Sequence, residues 1–165
     1  MTSHDDAHRA DPPHRAEHRV LPFFVYGTLR PGGRYHATHL GDAVAAGGTV
    51  EPARLPGAAL YDGPGYPYAV PAAAPAEVLG ELVTARPDGY RALLGSLDGL
   101  EEYWGAGDPR NLYDRVVREV LRADGTSVSA WVYLAAAPVA ERLRRGGTRI
   151  PRGDWLGRVR VRAAR

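Results

Sequence analysis

The chain has 165 residues and contains neither cysteine nor lysine. Without cysteine it has no disulfides, no thiolate zinc sites and no cysteine nucleophile. Without lysine it has no Schiff-base chemistry and no lysine base. All 21 lysine-or-arginine positions are arginine, and the formal net charge is only +2. So small a net charge indicates no particular class of partner.

Long apolar runs are also missing. No stretch approaches the roughly 18 apolar residues of a membrane-spanning helix, and residues 1–20 lack the apolar centre of a secretory signal. We therefore expect a cytoplasmic protein. The length suits one domain with its own core. The 20 glycines and 14 prolines predict short elements separated by many turns.

Both ends of the chain differ in composition from its middle. Residues 1–20 are polar and charged, without hydrophobic periodicity, so we predict a disordered tail. Four of the six histidines lie there, but a metal site would lack a fixed scaffold. Residues 157–165 form an arginine-rich C-terminal segment. The folded domain is predicted to span residues 21–156.

The pattern between these ends predicts more strands than helices. Apolar or alternating stretches bounded by glycine and proline indicate strands, and leucines at helical spacing indicate a helix. Many strands with few helices favour an α+β fold with a curved or closed sheet. The predicted strands are 21–27, 49–55, 58–62, 66–71, 77–85, 112–123 and 127–135, and the predicted helices are 34–48 and 87–104.

The most unusual stretch is FFVYGTLRPGG, residues 23–33, where an apolar strand runs into glycine, threonine, arginine and proline. Glycine permits unusual dihedral angles and close approach of the backbone to a ligand. Successive N–H groups in such a loop can point at one anion. The loop therefore predicts an anion-binding nest or, alternatively, a simple tight turn.

Arginine dominates the C-terminal end, where nine arginines and one acid lie between Arg142 and Arg165. In GRVRVRAAR, residues 157–165, arginine alternates with valine, as on a strand with one solvated face. One interpretation is a nucleic-acid-binding patch, and the other is a solvated strand or tail. We favour the second, because no aromatic residue follows Trp155 to stack on bases.

YGTLRPG, residues 26–32, resembles the signature loop of the γ-glutamylcyclotransferase-like superfamily, which includes the AIG2-like (avirulence-induced-gene-like) proteins. Further segments follow in the family's order, and the resemblance covers residues 22–156. It implies a small mixed β-barrel flanked by short helices. It also implies an enzyme that cyclises a γ-glutamyl group, releasing 5-oxoproline and an amine or amino acid. The further segments are GYPYAVP (65–71), VLGELV (78–83), LDGLEEY (97–103), YDRVVREV (113–120), WVYLA (131–135) and GDW (153–155).

The implied reaction needs a base and a binding site for the substrate. The α-amine attacks its own γ-carbonyl, so no water, metal or other cofactor need be supplied, but the ammonium must first lose a proton. A glutamate can take that proton when a pocket raises its pKa. The resemblance places this glutamate at Glu101. Backbone N–H groups of residues 26–29 are then candidates to hold the α-carboxylate or the developing oxyanion.

Two other acidic residues lie close to Glu101 in the sequence: Asp98, three residues before it, and Glu102, directly after it. On a helix Glu101 and Glu102 would point about 100° apart, so we expect only one to face the pocket. Leu97 and Leu100 lie on the side of Glu101, which favours that residue. Without the resemblance, two exposed glutamates would be the ordinary expectation. Asp98 either raises the pKa of Glu101 or has a structural role.

The remaining candidates bind the substrate. Tyr113 and Arg115 lie two apart on a strand and so share a face. The resemblance implies that Tyr113 donates its hydroxyl inside the pocket, whereas Arg115 binds the substrate carboxylate or pairs with an acid. Tyr26 shapes the pocket or packs in the core. The expected substrate-binding residues are Tyr26, Gly27, Thr28, Leu29, Tyr113 and Arg115.

Two departures leave the substrate open. The family often has glycine where this chain has Glu102, and YWGAGDPRN, residues 103–111, is a loop expected to cover the pocket and select the leaving group. That group is an amino acid, an ε-linked lysine or a natural product. The alternative to an enzyme is a non-catalytic carboxylate-binding module on the same fold.

Overall fold

The computed structural model describes residues 19–157. The predictions for residues 1–18 and 158–165, which include most of both predicted terminal segments, lie outside the described residues. Within it the elements, in chain order, are β1 (Phe23–Val25), α1 (His36–Ala45), β2 (Thr49–Pro56), β3 (Ala58–Tyr61), β4 (Tyr68–Pro71), β5 (Glu77–Thr84), α2 (Tyr90–Leu100), β6 (Tyr113–Arg122), β7 (Ser127–Ala135), α3 (Ala137–Gly146) and a 3₁₀ turn (Pro151–Gly153).

Five strands close into a barrel in the order β1, β5, β2, β6, β7. The barrel is mixed, because β1 runs antiparallel to β5 but parallel to β7, where Phe23 lies opposite Trp131. Strands β3 and β4 form a separate antiparallel pair. The predicted α+β class, a small mixed barrel flanked by short helices, is confirmed.

Alternate residues of β1 serve two cores, as expected for a strand whose side chains point to opposite faces. Phe24 packs with buried strand residues such as Leu82 and Val132 in the barrel. Phe23 and Val25 pack in a second cluster that also contains residues of the helices. The helices therefore cover the outside of the barrel at β1, which fixes the start of the loop that follows.

The structure differs from the predicted elements mainly near the helices. Helix α3, whose Val139, Ala140 and Leu143 are buried, was not predicted. Helix α2 ends at Leu100 instead of continuing to residue 104. Arg19, at the end of the predicted tail, contacts the domain, because its carbonyl accepts hydrogen bonds from Trp131 and Tyr90 at 3.1 and 3.2 Å.

No helix in residues 19–157 has both the length and the apolar character needed to cross a bilayer. The described arginines of the C-terminal stretch lie at the surface. Two of them have partners: Arg145 pairs with Glu141, and Arg144 donates to the Pro71 carbonyl.

Candidate active site

A cavity of about 260 Å³ lies where the end of β1, the end of α2 and the strands β6 and β7 meet. It brings together all the predicted site residues except Arg115. Among the described residues that line it, none is an arginine or a histidine. The lining residues are Phe24, Val25, Tyr26, Gly27, Thr28, Leu29, Tyr35, Tyr66, Pro67, Leu100, Glu101, Glu102, Leu112, Tyr113 and Tyr133.

The loop after β1 is a compact turn. The N–H of Arg30 donates to the Gly27 carbonyl at 3.1 Å, and the N–H of Tyr35 donates to Thr28 at 2.9 Å. Glycine is required at position 27, since a Cβ there would lie 2.8 Å from Cδ of Pro67. Within residues 19–157, the hydrogen bonds outside the regular elements do not use the N–H groups of residues 27–29 as donors. The same three residues line the cavity.

Arg30 anchors this loop to the barrel. Its Nε and one Nη lie 2.8 and 3.1 Å from the two carboxylate oxygens of Glu81 on β5, and its other Nη lies 2.7 Å from Asp154. Only 12% of the arginine side chain is exposed, so this is a sheltered, bidentate pair. This role of Arg30 is not visible in the sequence, because its partners are 51 and 124 residues away.

Glu101 follows the last residue of α2. The amphipathic helix buries Leu93 and Leu97, and the N–H of Glu101 donates to the Leu97 carbonyl at 2.9 Å. The chain then leaves the helical path, since Glu102 has a φ of 51°. The expectation that only one of the two glutamates faces the pocket was therefore wrong: both line the cavity, but Glu101 is partly buried and Glu102 is exposed.

Burial raises the pKa of Glu101 from 4.5 to about 7. The side chain keeps some accessible surface on the cavity, while protein surrounds it on the other sides. No contribution from Asp98 is needed to explain this direction. Burial is the main cause that raises the pKa values of Tyr26, Tyr113 and Tyr133. After burial, Glu101 contributes most at Tyr26, Tyr26 and then Glu101 at Tyr113, and Asp98 at Tyr133, where Glu101 adds less. These tyrosines therefore keep their protons.

The three tyrosine hydroxyls donate to protein acceptors. Tyr26 donates to the Tyr133 carbonyl at 2.5 Å, and Tyr113 donates to the Pro67 carbonyl at 2.7 Å. Tyr133 donates to Asp98 Oδ1 at 2.6 Å. A carbonyl or carboxylate oxygen can only accept, so the direction of each bond is fixed. Pro67 lines the cavity together with Tyr113, and donation from the Tyr113 hydroxyl to a substrate stays a prediction.

Arg115 lies behind the cavity wall. Its Nε is 2.9 Å from Asp98 Oδ1, and its guanidinium lies 4.3 Å from the centre of the Trp131 ring. The side chain is only 5% exposed. Of the two alternatives for Arg115, pairing with an acid matches this arrangement, and we no longer place it among the substrate-binding residues. Tyr133 lines the cavity but was missed, although Trp131, Tyr133 and Ala135 alternate on one strand face.

The loop of residues 103–111 was expected to cover the pocket, but none of its residues lines the cavity. Arg110 stacks on the exposed ring of Trp104, 4.2 Å from its centre, and Asn111 bonds back to Trp104 and Gly105. Only the residues on either side of the loop, Glu102 and Leu112, reach the cavity.

The fold and the cavity define a small-barrel protein with a partly buried carboxyl group and a glycine loop in one binding site. The family model described as gamma-glutamyl cyclotransferase, AIG2-like, matches residues 23–157, and the chain belongs to that family. Gamma-L-glutamyl-butirosin B gamma-glutamyl cyclotransferase from Niallia circulans is 34% identical over 114 residues. The match covers 67% of this chain and 64% of that relative.

Solved structures share the fold. YkqA from Bacillus subtilis has a TM-score of 0.61 at 22% identity, covering 88% of this chain and 43% of that one. PH0828 from Pyrococcus horikoshii has a TM-score of 0.57 at 21% identity, covering 87% of this chain and 96% of that one. At such identities the likeness concerns the fold alone.

Proposed function

We propose that this protein is a γ-glutamyl cyclotransferase that converts γ-glutamyl amides into 5-oxoproline and a free amine or amino acid. One observation carries the proposal: Glu101, whose pKa burial raises to about 7, shares a cavity with the unbonded N–H groups of residues 27–29. Membership of the family supports the class of activity.

The polar groups of the cavity suit an α-amino-acid head group. Its described lining includes no cationic side chain, so the N–H groups of Gly27, Thr28 and Leu29 are the candidate donors for the α-carboxylate. The carboxylate of Glu101 is the acceptor for the α-ammonium. A γ-glutamyl compound carries both charged groups, the ammonium and the carboxylate, on its α-carbon.

The reaction then needs only one protein group to move a proton. Glu101 takes a proton from the α-ammonium, and the amine nitrogen attacks the γ-carbonyl carbon to close a five-membered ring. The proton on Glu101 passes to the leaving nitrogen as its bond to that carbon breaks. The ring nitrogen then gives its second proton to Glu101, which passes it to the departing amine and is ionised again. Atoms balance without water. The contribution of the cavity is to hold the extended substrate folded, so that amine and carbonyl meet.

The pKa of Glu101 sets the direction of the pH dependence. Only the ionised carboxylate can accept the ammonium proton, so kcat/KM should rise with pH through about 7 and then level off. A glutamine at this position keeps the shape of the side chain but has no such titration.

The test is release of 5-oxoproline from a panel of γ-glutamyl amino acids, γ-glutamyl-ε-lysine and γ-L-glutamyl-butirosin B, the last suggested by the name of the Niallia circulans relative. Glu101→Gln should lower turnover by roughly 100-fold or more, as for a lost general base. Glu102→Gln is the matched control, because this neighbour lines the same cavity but is exposed, and it should lose little.

Equal effects of the two substitutions, or full activity in Glu101→Gln, would refute the assignment and favour a carboxylate-binding module. A crystal structure with a γ-glutamyl ligand provides a second check. Its α-carboxylate should contact the N–H groups of residues 27–29, and a ligand bound elsewhere would contradict the role of this loop.

A further inference from the structure

Tyr133 lines the cavity but has no role in the reaction proposed above. It lies on β7 and lines the cavity beside Glu101 and Tyr113. Its hydroxyl donates to Asp98 Oδ1 at 2.6 Å, and the same oxygen of Asp98 lies 2.9 Å from Nε of Arg115. Arg115, Asp98 and Tyr133 thus form a chain that leads from the buried side of the wall to the cavity.

The polarity of this chain is fixed by its charged end. Arg115 is only 5% exposed and lies against the rings of Trp131 and Tyr103. Asp98 Oδ1 accepts the hydrogen bond of the Tyr133 hydroxyl and forms the ion pair with Arg115, whose guanidinium has only N–H donors and cannot accept a proton from the tyrosine. The proton of Tyr133 is therefore committed to Asp98, and its oxygen can offer only lone pairs to the cavity.

We propose that Tyr133 is a substrate-binding residue that accepts a hydrogen bond from the substrate α-amine, and that Asp98 and Arg115 are positioning residues that hold it in this role. The inference rests on the proposed cyclotransferase function. In this proposal Arg115 does not bind the substrate carboxylate directly; it acts through Asp98, which holds Tyr133.

The chemistry explains why an acceptor is useful at this place. After losing one proton to Glu101, the α-amine has two N–H groups and one lone pair. Oxygen acceptors that hold the N–H groups leave the lone pair directed away from them, towards the γ-carbonyl. A tyrosine free to donate would instead bond to that lone pair and compete with the attack. Committing the proton to Asp98 removes this competition.

The experiment is a thermodynamic cycle that removes the Tyr133 hydroxyl from the protein and the α-amine from the ligand, separately and together. Every protein in it also carries Glu101→Gln, so that the ligand is not consumed. Calorimetry measures Kd for γ-glutamyl butylamide and for glutaric acid monobutylamide, which lacks only the α-amine. Tyr133→Phe should weaken binding of the first compound roughly tenfold, the size of one hydrogen bond to a charged group, and leave the second within about twofold.

Tyr90→Phe is the matched control. Tyr90 is also a buried tyrosine with a bonded hydroxyl, but it does not line the cavity, so it should leave the ratio of the two affinities unchanged. A variant that is partly unfolded weakens both ligands alike and cannot mimic the expected result. For the positioning pair, Asp98→Ala and Arg115→Met should lower the preference for the ligand with the α-amine over the ligand without it. Arg115→Lys should retain this preference.

An equal loss for both ligands, or no loss for either, would overturn the role of Tyr133. The outcome is distinguishable from failure of the proposed function. If wild-type protein releases 5-oxoproline while Tyr133→Phe keeps the full affinity ratio, only this inference fails. If wild-type protein releases none from any γ-glutamyl compound and the Glu101→Gln protein binds both ligands equally, the function fails, and the inference with it.

Discussion

Replacing Glu101 by glutamine is expected to stabilise the protein at neutral and alkaline pH, because it removes a charge that the folded state shelters from water. Burial raises the pKa of this carboxyl from 4.5 to about 7. Between these two pH values the folded protein binds a proton that the unfolded chain has lost. The free energy of unfolding of the wild-type protein therefore falls as the pH rises through this interval.

The magnitude follows from the width of the interval. At about 1.4 kcal/mol per pH unit, ionised Glu101 destabilises the fold by about 3 kcal/mol once the pH exceeds 7. This is an upper value, because the side chain keeps surface on a cavity that water can enter. Below pH 4.5 the carboxyl is protonated in both states, and the contribution vanishes.

Urea denaturation of the wild-type protein and of Glu101→Gln, from about pH 4 to about pH 9, measures the effect. The variant should match the wild type at the acid end and exceed it by up to about 3 kcal/mol at the alkaline end, or roughly 6–12 °C in Tm. Glu102→Gln makes the same chemical change on the exposed neighbour and should follow the wild-type profile. A difference between wild type and Glu101→Gln that does not vary with pH would refute the reasoning.

Three further predictions concern the backbone and the chain ends. Glu102→Gly should raise the free energy of unfolding by about 1 kcal/mol in urea titrations, since glycine adopts the φ of 51° without strain; a loss would mean that the glutamate side chain itself stabilises the turn. Gly27→Ala should lower kcat/KM at least roughly tenfold, because the methyl group would lie 2.8 Å from Pro67 and displace the loop; unchanged kinetics would show that the loop need not pass so close. Deleting residues 1–18, which are polar and precede the bonded Arg19 carbonyl, should leave Tm and turnover nearly unchanged, and a large drop in either would contradict the predicted tail.

The seven strands were predictable from local pattern. Apolar runs between glycine and proline placed β1 and β3 to β5, and the hairpin signal at 124–126 joined β6 to β7. The order of the strands in the barrel was not predictable, because it differs from their order along the chain: β5 lies between β1 and β2. Helix α3 was overlooked because its arginines obscured the spacing of Val139, Ala140 and Leu143.

The candidate site divides in the same way. The glycine loop and Glu101 lie in short, distinctive segments, so they could be named from the sequence. The groups that hold them could not, because Arg30 meets Glu81 across 51 residues and Tyr133 meets Asp98 across 35. The relation between Glu101 and Glu102 was misjudged, since the end of α2 at Leu100 depends on a turn that helical spacing does not predict.

The shortness of β1 has a consequence for the order of events during synthesis. This strand has three residues, and it pairs with residues 81–83 of β5 and with Trp131 of β7. The loop that follows β1 leaves the ribosome early, yet the strand that closes the barrel beside it is among the last to emerge. A nascent chain therefore cannot carry a working site until β7 is available, and a chain interrupted before residue 127 should be inactive however long it is given to fold.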